Sequence, residues 1–339
     1  MTSFAKTLEI QTSPHITQGV SVEEIMRSVV LALLPASLFA IYAFGWAGLI
    51  TLAAGTGSCL LAEYVLCRWS NQSSTLGDWS VAITGLLYGL TLPPGLPVWM
   101  TIAGGFIAVG LGKFLFGGLG HNPFNPALVG RAVLQAAFPV AMTTWHQAFH
   151  PDRFASVTSS VLAIPFTQPV YDGLSGATPL SAWKFDQELA ATNELVFGLT
   201  SGSTGETSSV LILLGGLYLI ARNMMNWRIP AAILGTVFVF SGLLYWFDPA
   251  AYPPPWFMLF SGGLMLGAMF MATDMVGSPM TNRGTVLHGV LIGALTVVIR
   301  IWGGMPEGVM YAILLANAFV PQIDSLIQPR VYGATKASA

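Results

Sequence analysis

The stretch 172-DGLSGATPL-180 sets two hydroxyls, Ser175 and Thr178, around Gly176 and Ala177 in a chain otherwise dominated by apolar runs. Gly173 and Gly176 allow positive φ and close approach by another molecule. Pro179 holds Thr178 away from the α region, because the residue before proline is extended. Thr178 is therefore expected on extended backbone with a little-shielded hydroxyl. That form suits an enzyme that wraps a segment and modifies it. A plain surface turn of small residues fits the same local chemistry.

A second group lies in 121-HNPFNPALVGR-131. Asn122 or Asn125 can cap a helix that starts inside an apolar region, with Pro126 in its first turn. The free N–H groups at such an end favour an anion or an electron-rich carbonyl edge. A structural kink is the alternative there. Asp274 and Arg283 flank a helix junction and read as an ion pair facing a partner, or as part of an ion path. Glu63 lies in an apolar helix, where a carboxylate is a functional candidate, although Arg68 nearby also allows it to reach the interface. His288 stands alone on an apolar helix and reads as a core residue. His15, His121, His146 and His150 have no metal-ligand spacing, and no metal site is expected. Cys59 and Cys67 are eight positions apart on one helix, about 12 Å, too far for a disulfide. Two thiols also fall short of the four ligands an iron–sulfur cluster takes. There is no catalytic triad, phosphate loop or dinucleotide fingerprint, so no catalytic residue is assigned.

The elements that carry these residues must be membrane helices. The 339 residues are 54% hydrophobic and 8% charged, with a mean hydropathy of +0.67. Soluble domains carry about 25% charged residues. No basic run points to nucleic acid, and lipid is the expected solvent. The first residues lack the pattern of a cleaved signal peptide. Ten apolar segments are expected, near 25–44, 46–67, 79–92, 97–116, 124–140, 208–222, 227–247, 256–273, 285–302 and 308–327. Breaks at 91-TLPPGLP-97, 121-HNPFNP-126 and 317-NAFVP-321 need shelter from lipid. With a cytoplasmic N-terminus, Lys6, Arg27, Arg68, Lys113, Arg222, Arg228, Arg283, Arg330 and Lys336 fall inside, and Arg153, Lys184 and Arg300 outside. That bias predicts both termini cytoplasmic and the loop 141–207 on the other side, which in a Gram-negative bacterium with this chain in its inner membrane is the periplasm. The pairs 85-GLLYG-89 with 263-GLMLG-267, and 122-NPFNP-126 with 317-NAFVP-321, suggest a five-plus-five duplication. Five is odd, so the halves must be inverted, as in transporters with broken helices. The expected organisation is a cytoplasmic segment 1–24, a first membrane repeat 25–140, the loop 141–207, a second repeat 208–327 and a cytoplasmic tail 328–339.

Together these stretches resemble a known family. Asp172-x-x-Ser175-Gly176-Ala177-Thr178 is similar to the D-x-x-[ST]-G-A-T signature at which a flavin transferase moves FMN from FAD onto the last threonine. The segments 13-SPHI-16, 117-GGLGHNPFNPALVGRAVL-134, 271-MATDMVGSPMTNRG-284 and 300-RIWGGMPEGVMYAILLANAFVPQIDSLIQPR-330 extend the resemblance over nearly the whole chain. It is to the D subunits of the Rnf ion-translocating oxidoreductases and the related B subunits of the sodium-pumping NADH:quinone reductases. The latter usually carry an N-terminal extension, and its lack here favours the former. The resemblance implies an all-α polytopic membrane protein of urea-channel type. It also implies covalent FMN on Thr178, with Asp172, Ser175, Gly176 and Ala177 read by the transferase. It allows a second, noncovalent flavin (riboflavin) against Asn122 and Asn125. The implied task is electron relay between NADH and ferredoxin coupled to Na⁺ or H⁺ transport, with NADH bound by another subunit. A small-solute channel or transporter without a redox cofactor is the alternative.

Overall fold

Ser21 starts the first helix by accepting the Glu24 N–H at 3.2 Å, with Glu23 and Glu24 in the first turn where the helix dipole favours acids. From there the computed structural model describes residues 21–71, 75–165, 176–206 and 208–329. The N-terminal residues with 13-SPHI-16, the signature residues Asp172 and Ser175, and the end of the tail lie outside the described residues. Among the described residues every regular element is helical.

The first half comprises α1 (Val22–Phe44), α2 (Trp46–Trp69), α3 (Ser80–Thr91), α4 (Val98–Gly112) and α5 (Pro126–Ala137), followed by a short α6 (Pro139–Thr143). The connecting region contains α7 (Pro179–Ser181), a π-helical turn at Ala182–Asp186, and α8 (Thr192–Phe197). The second half comprises α9 (Ser209–Ala221), α10 (Arg228–Phe247), α11 (Pro255–Phe260), α12 (Leu264–Leu266), a π-helical turn at Gly267–Met271, α13 (Asn282–Trp302), α14 (Val309–Ala318) and α15 (Val320–Leu326).

Five helices are long and apolar enough to cross a membrane: α1, α2, α4 with its continuation to Phe116, α10 and α13. The pair α14 and α15, bent by 49°, makes a sixth if counted as one span. The other four of the ten expected segments are shorter or interrupted, and the cause is local. Pro93 and Pro94 stop α3 at Thr91. Ser261 is extended and Gly262 takes φ 64°, which separates α11 from α12.

These two breaks release backbone carbonyls that distant parts of the chain satisfy. Leu92 O accepts from the Thr204 N–H at 3.0 Å and the Thr204 hydroxyl at 2.6 Å, and Leu90 O accepts from the Gly205 N–H at 2.6 Å. At the second break, Arg300 donates to Met258 O at 2.5 Å and to Ser261 O at 2.8 Å. Unwound backbone among apolar helices is stable only when paired in this way.

The helices approach closely through small residues. A Cβ on Gly85 would sit 2.6 Å from Thr56 Cα, joining α3 to α2, and one on Gly293 would sit 2.8 Å from Ile233 O, joining α13 to α10. Cys59 and Cys67 are both buried and free, as the spacing predicts.

The described parts of the region expected as the loop 141–207 fold against one end of the bundle. Its first part covers the α1–α2 junction: the Phe149 N–H donates to Ala43 O at 2.8 Å and the Trp46 N–H to Arg153 O at 3.1 Å. Its second part covers the α13–α14 junction, where Lys184 donates to the carbonyls of Arg300 (2.9 Å), Gly303 and Met305 (3.3 Å). At the opposite end Arg222 pairs with Glu24 at 3.0 Å.

The two N-x-F-x-P copies do not match as inverted equivalents. Asn125 donates to Met271 O at 3.2 Å, and the Asn317 amide, in the orientation that satisfies it, donates to Gly277 O at 3.2 Å. Both therefore face the same stretch at the same end, one before α5 and the other at the close of α14. A better-placed pair is Gly85, Thr91, Gly95, Pro97 against Gly267, Thr273, Gly277, Pro279, which shares its spacing and in each half runs from a helical segment into an irregular connection.

Candidate functional site

Thr178 is extended, with φ −71° and ψ 155°, as Pro179 requires. Its hydroxyl, expected to be unshielded, is buried: the residue is 2% exposed. The reason is that Thr178 caps α7. Its Oγ1 accepts the Ser181 N–H at 3.2 Å and donates to Ser181 Oγ at 3.0 Å. The Gly176 N–H donates to Trp145 O at 2.9 Å, and Ala177 stays exposed. An enzyme acting on Thr178 must therefore meet this segment before it docks, or lift it.

Ser181 and Trp145, the two partners of that segment, both line a cavity of about 370 Å³. The volume lies within the range of small-molecule sites, roughly 300–1,000 Å³. Much of the wall is apolar, including Leu128, Leu266, Met271 and Met310. Into it come four charges from four parts of the chain: Arg131 of α5, Arg300 of α13, Glu206, and Glu307 of the α13–α14 connection. Arg131 Nη2 lies 2.6 Å from Glu307 Oε2. Burial and the neighbouring Glu206 push the Glu307 carboxyl up to about 7, against the downward pull of Arg131 and Arg300. Arg131 Nε, Arg300 Nε, Glu307 Oε1 and Ser261 Oγ are buried without a hydrogen-bond partner among the described residues.

An apolar slot whose wall carries two guanidinium groups fits a flavin, whose ring is flat and whose phosphate and carbonyl edge are electron-rich. The expected tether position, Thr178, is one hydrogen bond from the cavity wall. Sequence reasoning gives Arg131 no role and does not single out Glu206 or Glu307. Glu307 lies 176 residues from its partner, and no periodicity announces such a pair.

The other predicted group does assemble. Asn125 Oδ1 accepts the Ala127 N–H at 3.0 Å and caps α5, with Pro126 in the first turn. Asn122 donates to Asp274 Oδ2 at 3.4 Å. Asp274, read with Arg283 as a partner-facing ion pair or as part of an ion path, meets Asn122, and Arg283 is exposed. Burial pushes the Asp274 carboxyl above its usual range, partly offset by hydrogen bonds from Val276 and Asn122. The cavity beside Asn122 and Asn125 is about 110 Å³. That is below the roughly 300 Å³ at which small-molecule sites begin, so a flavin there requires side chains to move.

Glu63 does not reach the interface beside Arg68. It is 3% exposed and pairs with Lys113 of the α4 terminus at 2.7 Å, while Thr75 donates to the same oxygen. Lys113 also donates to Ser80 Oγ at 3.0 Å, and Ser80 donates to Asp78 Oδ1 at 2.6 Å. His288 is fully buried in the core, with neither ring nitrogen hydrogen-bonded among the described residues. No group of three metal-ligating side chains occurs among the described residues.

Comparison with known proteins places this arrangement. The model of the NQR2, RnfD, RnfE family matches residues 9–333. The chain is 41% identical to the D subunit of the proton-translocating ferredoxin:NAD(+) oxidoreductase complex of Clostridium ljungdahlii, over 96% of each chain. It is 40% identical to the D subunit of the ion-translocating oxidoreductase complex of Alcanivorax borkumensis, over 95% of this chain and 96% of the relative. It is 38% identical to the D subunit of the Na(+)-translocating ferredoxin:NAD(+) oxidoreductase complex of Acetobacterium woodii, over 97% and 96%. The chain belongs to the NQR2, RnfD, RnfE family.

Proposed function

We propose that this chain is the D-type membrane subunit of an ion-translocating electron-transport complex, and that it carries FMN covalently on Thr178. The observation that carries the reading is the juxtaposition of Thr178, through Ser181, with an apolar cavity lined by Arg131 and Arg300. The complex relays electrons between ferredoxin and NAD⁺, and couples that flow to Na⁺ or H⁺ movement. The flavin supplies the electron chemistry, and the chain supplies position and electrostatics. Attachment forms a phosphoester bond at Thr178 Oγ1 as the pyrophosphate bond of FAD breaks, with AMP leaving and the hydroxyl proton lost. The ester oxygen can still accept the Ser181 N–H, so the cap survives modification. Arg131, paired with Glu307, and Arg300, held on the Met258 and Ser261 carbonyls, would offset the charge of the anionic parts of the group, and the apolar wall would keep water from the ring.

The same reading gives the chain its surroundings. Other subunits of the complex supply nucleotide binding, and a flavin transferase supplies the modification. The bundle sits in the bacterial inner membrane with the Thr178 end outside. The end bearing Arg153, Lys184 and Arg300 is the poorer in positive charge, which supports that orientation. The ten segments form an inverted five-plus-five repeat of urea-channel type. Supporting this, α1 packs on α9 and α5 on α14 across the halves, as a two-fold relation pairs first with sixth and fifth with tenth. A second flavin near Asn122 and Asn125 completes the proposed relay.

The test is expression with and without a flavin transferase, followed by denaturing electrophoresis under ultraviolet light. A fluorescent band that needs the transferase is expected. A dark band, with the transferase active on a control substrate, removes the redox reading and returns the small-solute channel.

A further inference from the structure

The flavin reading leaves one feature of the cavity unused: its carboxylates. A cavity that only held an anionic cofactor would need its arginines alone. Here Glu307 faces the same space with 19% of its side chain exposed, held at 2.6 Å by Arg131. Its second oxygen, Oε1, has no hydrogen-bond partner among the described residues, and neither does Arg131 Nε. The charged and titratable groups facing it come from every surrounding element. They are Arg131 of α5, Arg300 of α13 and Glu206 before α9, with Tyr311 of α14 near Arg131 and Lys184 bonded to the Met305 carbonyl two residues away. Two cations against two carboxylates leave the wall close to neutral, so one added charge in the cavity changes its balance strongly in a low-dielectric site.

Resting on the flavin reading, we infer that Glu307, held by Arg131, is the charge-compensating proton site of this cavity. It binds one proton when an electron enters the tethered flavin and releases it when the electron leaves. The electron comes from a one-electron carrier of a partner subunit. The proton comes from water at the outer end, by way of the cavity. An O–H bond forms at Glu307 as the cavity gains negative charge, and it breaks as that charge leaves. Glu307 can respond in this way because burial has already brought its proton affinity to the neutral range. The coupling is a linkage between two charges in one site: added negative charge in the cavity raises the affinity of the carboxylate for a proton.

The experiment uses full-length, flavinylated protein whose band fluoresces. The protein is reduced electrochemically in weak buffer near neutral pH, and proton uptake per electron is read with an indicator dye. Wild type is expected to take up more protons per electron than Glu307→Gln. Arg131→Gln is expected to move the extra uptake to higher pH, because the carboxylate loses its cation. That variant keeps the test decisive if Glu307→Gln fails to fold. Equal uptake in wild type and Glu307→Gln, both fluorescent, overturns the inference and leaves the flavin reading standing. A wild-type band without flavin overturns the reading beneath it, which is a separate and visible failure.

Discussion

Glu63→Gln is expected to destabilise the folded protein by about 3–5 kcal/mol, the usual cost of leaving one member of a buried ion pair alone. The Lys113 ammonium is 3% exposed, and after the change it keeps only the neutral amide and Ser80 Oγ. Lys113→Met strands Glu63 in the same way and should cost a similar amount. The double change Glu63→Met with Lys113→Met should recover most of the loss, because two apolar side chains of similar size need no desolvation. Unfolding of the purified protein in a denaturing-detergent titration reads all three. Independent, additive losses in the double variant would mean that the two residues act through different partners. The pair joins the ends of α2 and α4 to the start of α3, so its loss should loosen the end of the bundle far from Thr178.

Arg300→Met should be the second large effect. Arg300 is 1% exposed, and its guanidinium takes the two carbonyls that the α11–α12 break releases, Met258 O and Ser261 O. Two buried acceptors left without donors cost about 1–3 kcal/mol each. The change also removes one of the two cations from the cavity, so Glu206 and Glu307 are left with Arg131 alone. The expected result is a lower midpoint in the same detergent titration. Arg300→Lys should not restore it, since a single ammonium cannot reproduce the planar fork that meets both carbonyls. Full stability in Arg300→Lys would show that charge, not geometry, holds the break.

These two residues also mark where the sequence stops being readable. Helical membrane character, the burial of Cys59 and Cys67, a cap by Asn122 or Asn125 and the extended backbone at Thr178 follow from composition, spacing and proline sterics. Each of those is a local property. The Glu63–Lys113 pair spans 50 positions and the Arg131–Glu307 pair 176, and nothing along the chain ties the partners together. Arg300 reads as an outer-face charge by alternation, yet it is spent inside the bundle on a helix break. The break at Gly262 has no proline to announce it, so the sequence gives no sign of the carbonyls it releases. The shielding of Thr178 is hidden for the opposite reason. The same proline that extends the residue also begins α7, and the threonine hydroxyl becomes its cap.

The central claim is that Thr178 carries the flavin, and peptide mass spectrometry tests it most directly. Protein made with a flavin transferase is digested, and the peptide containing 172-DGLSGATPL-180 is fragmented. The expected result is the mass of FMN less water on Thr178, absent from Thr178→Ala protein, whose fold should lose only about 1 kcal/mol with the cap. FMN mass on another residue, or an unmodified Thr178 beside a transferase that labels a control protein, would contradict the account.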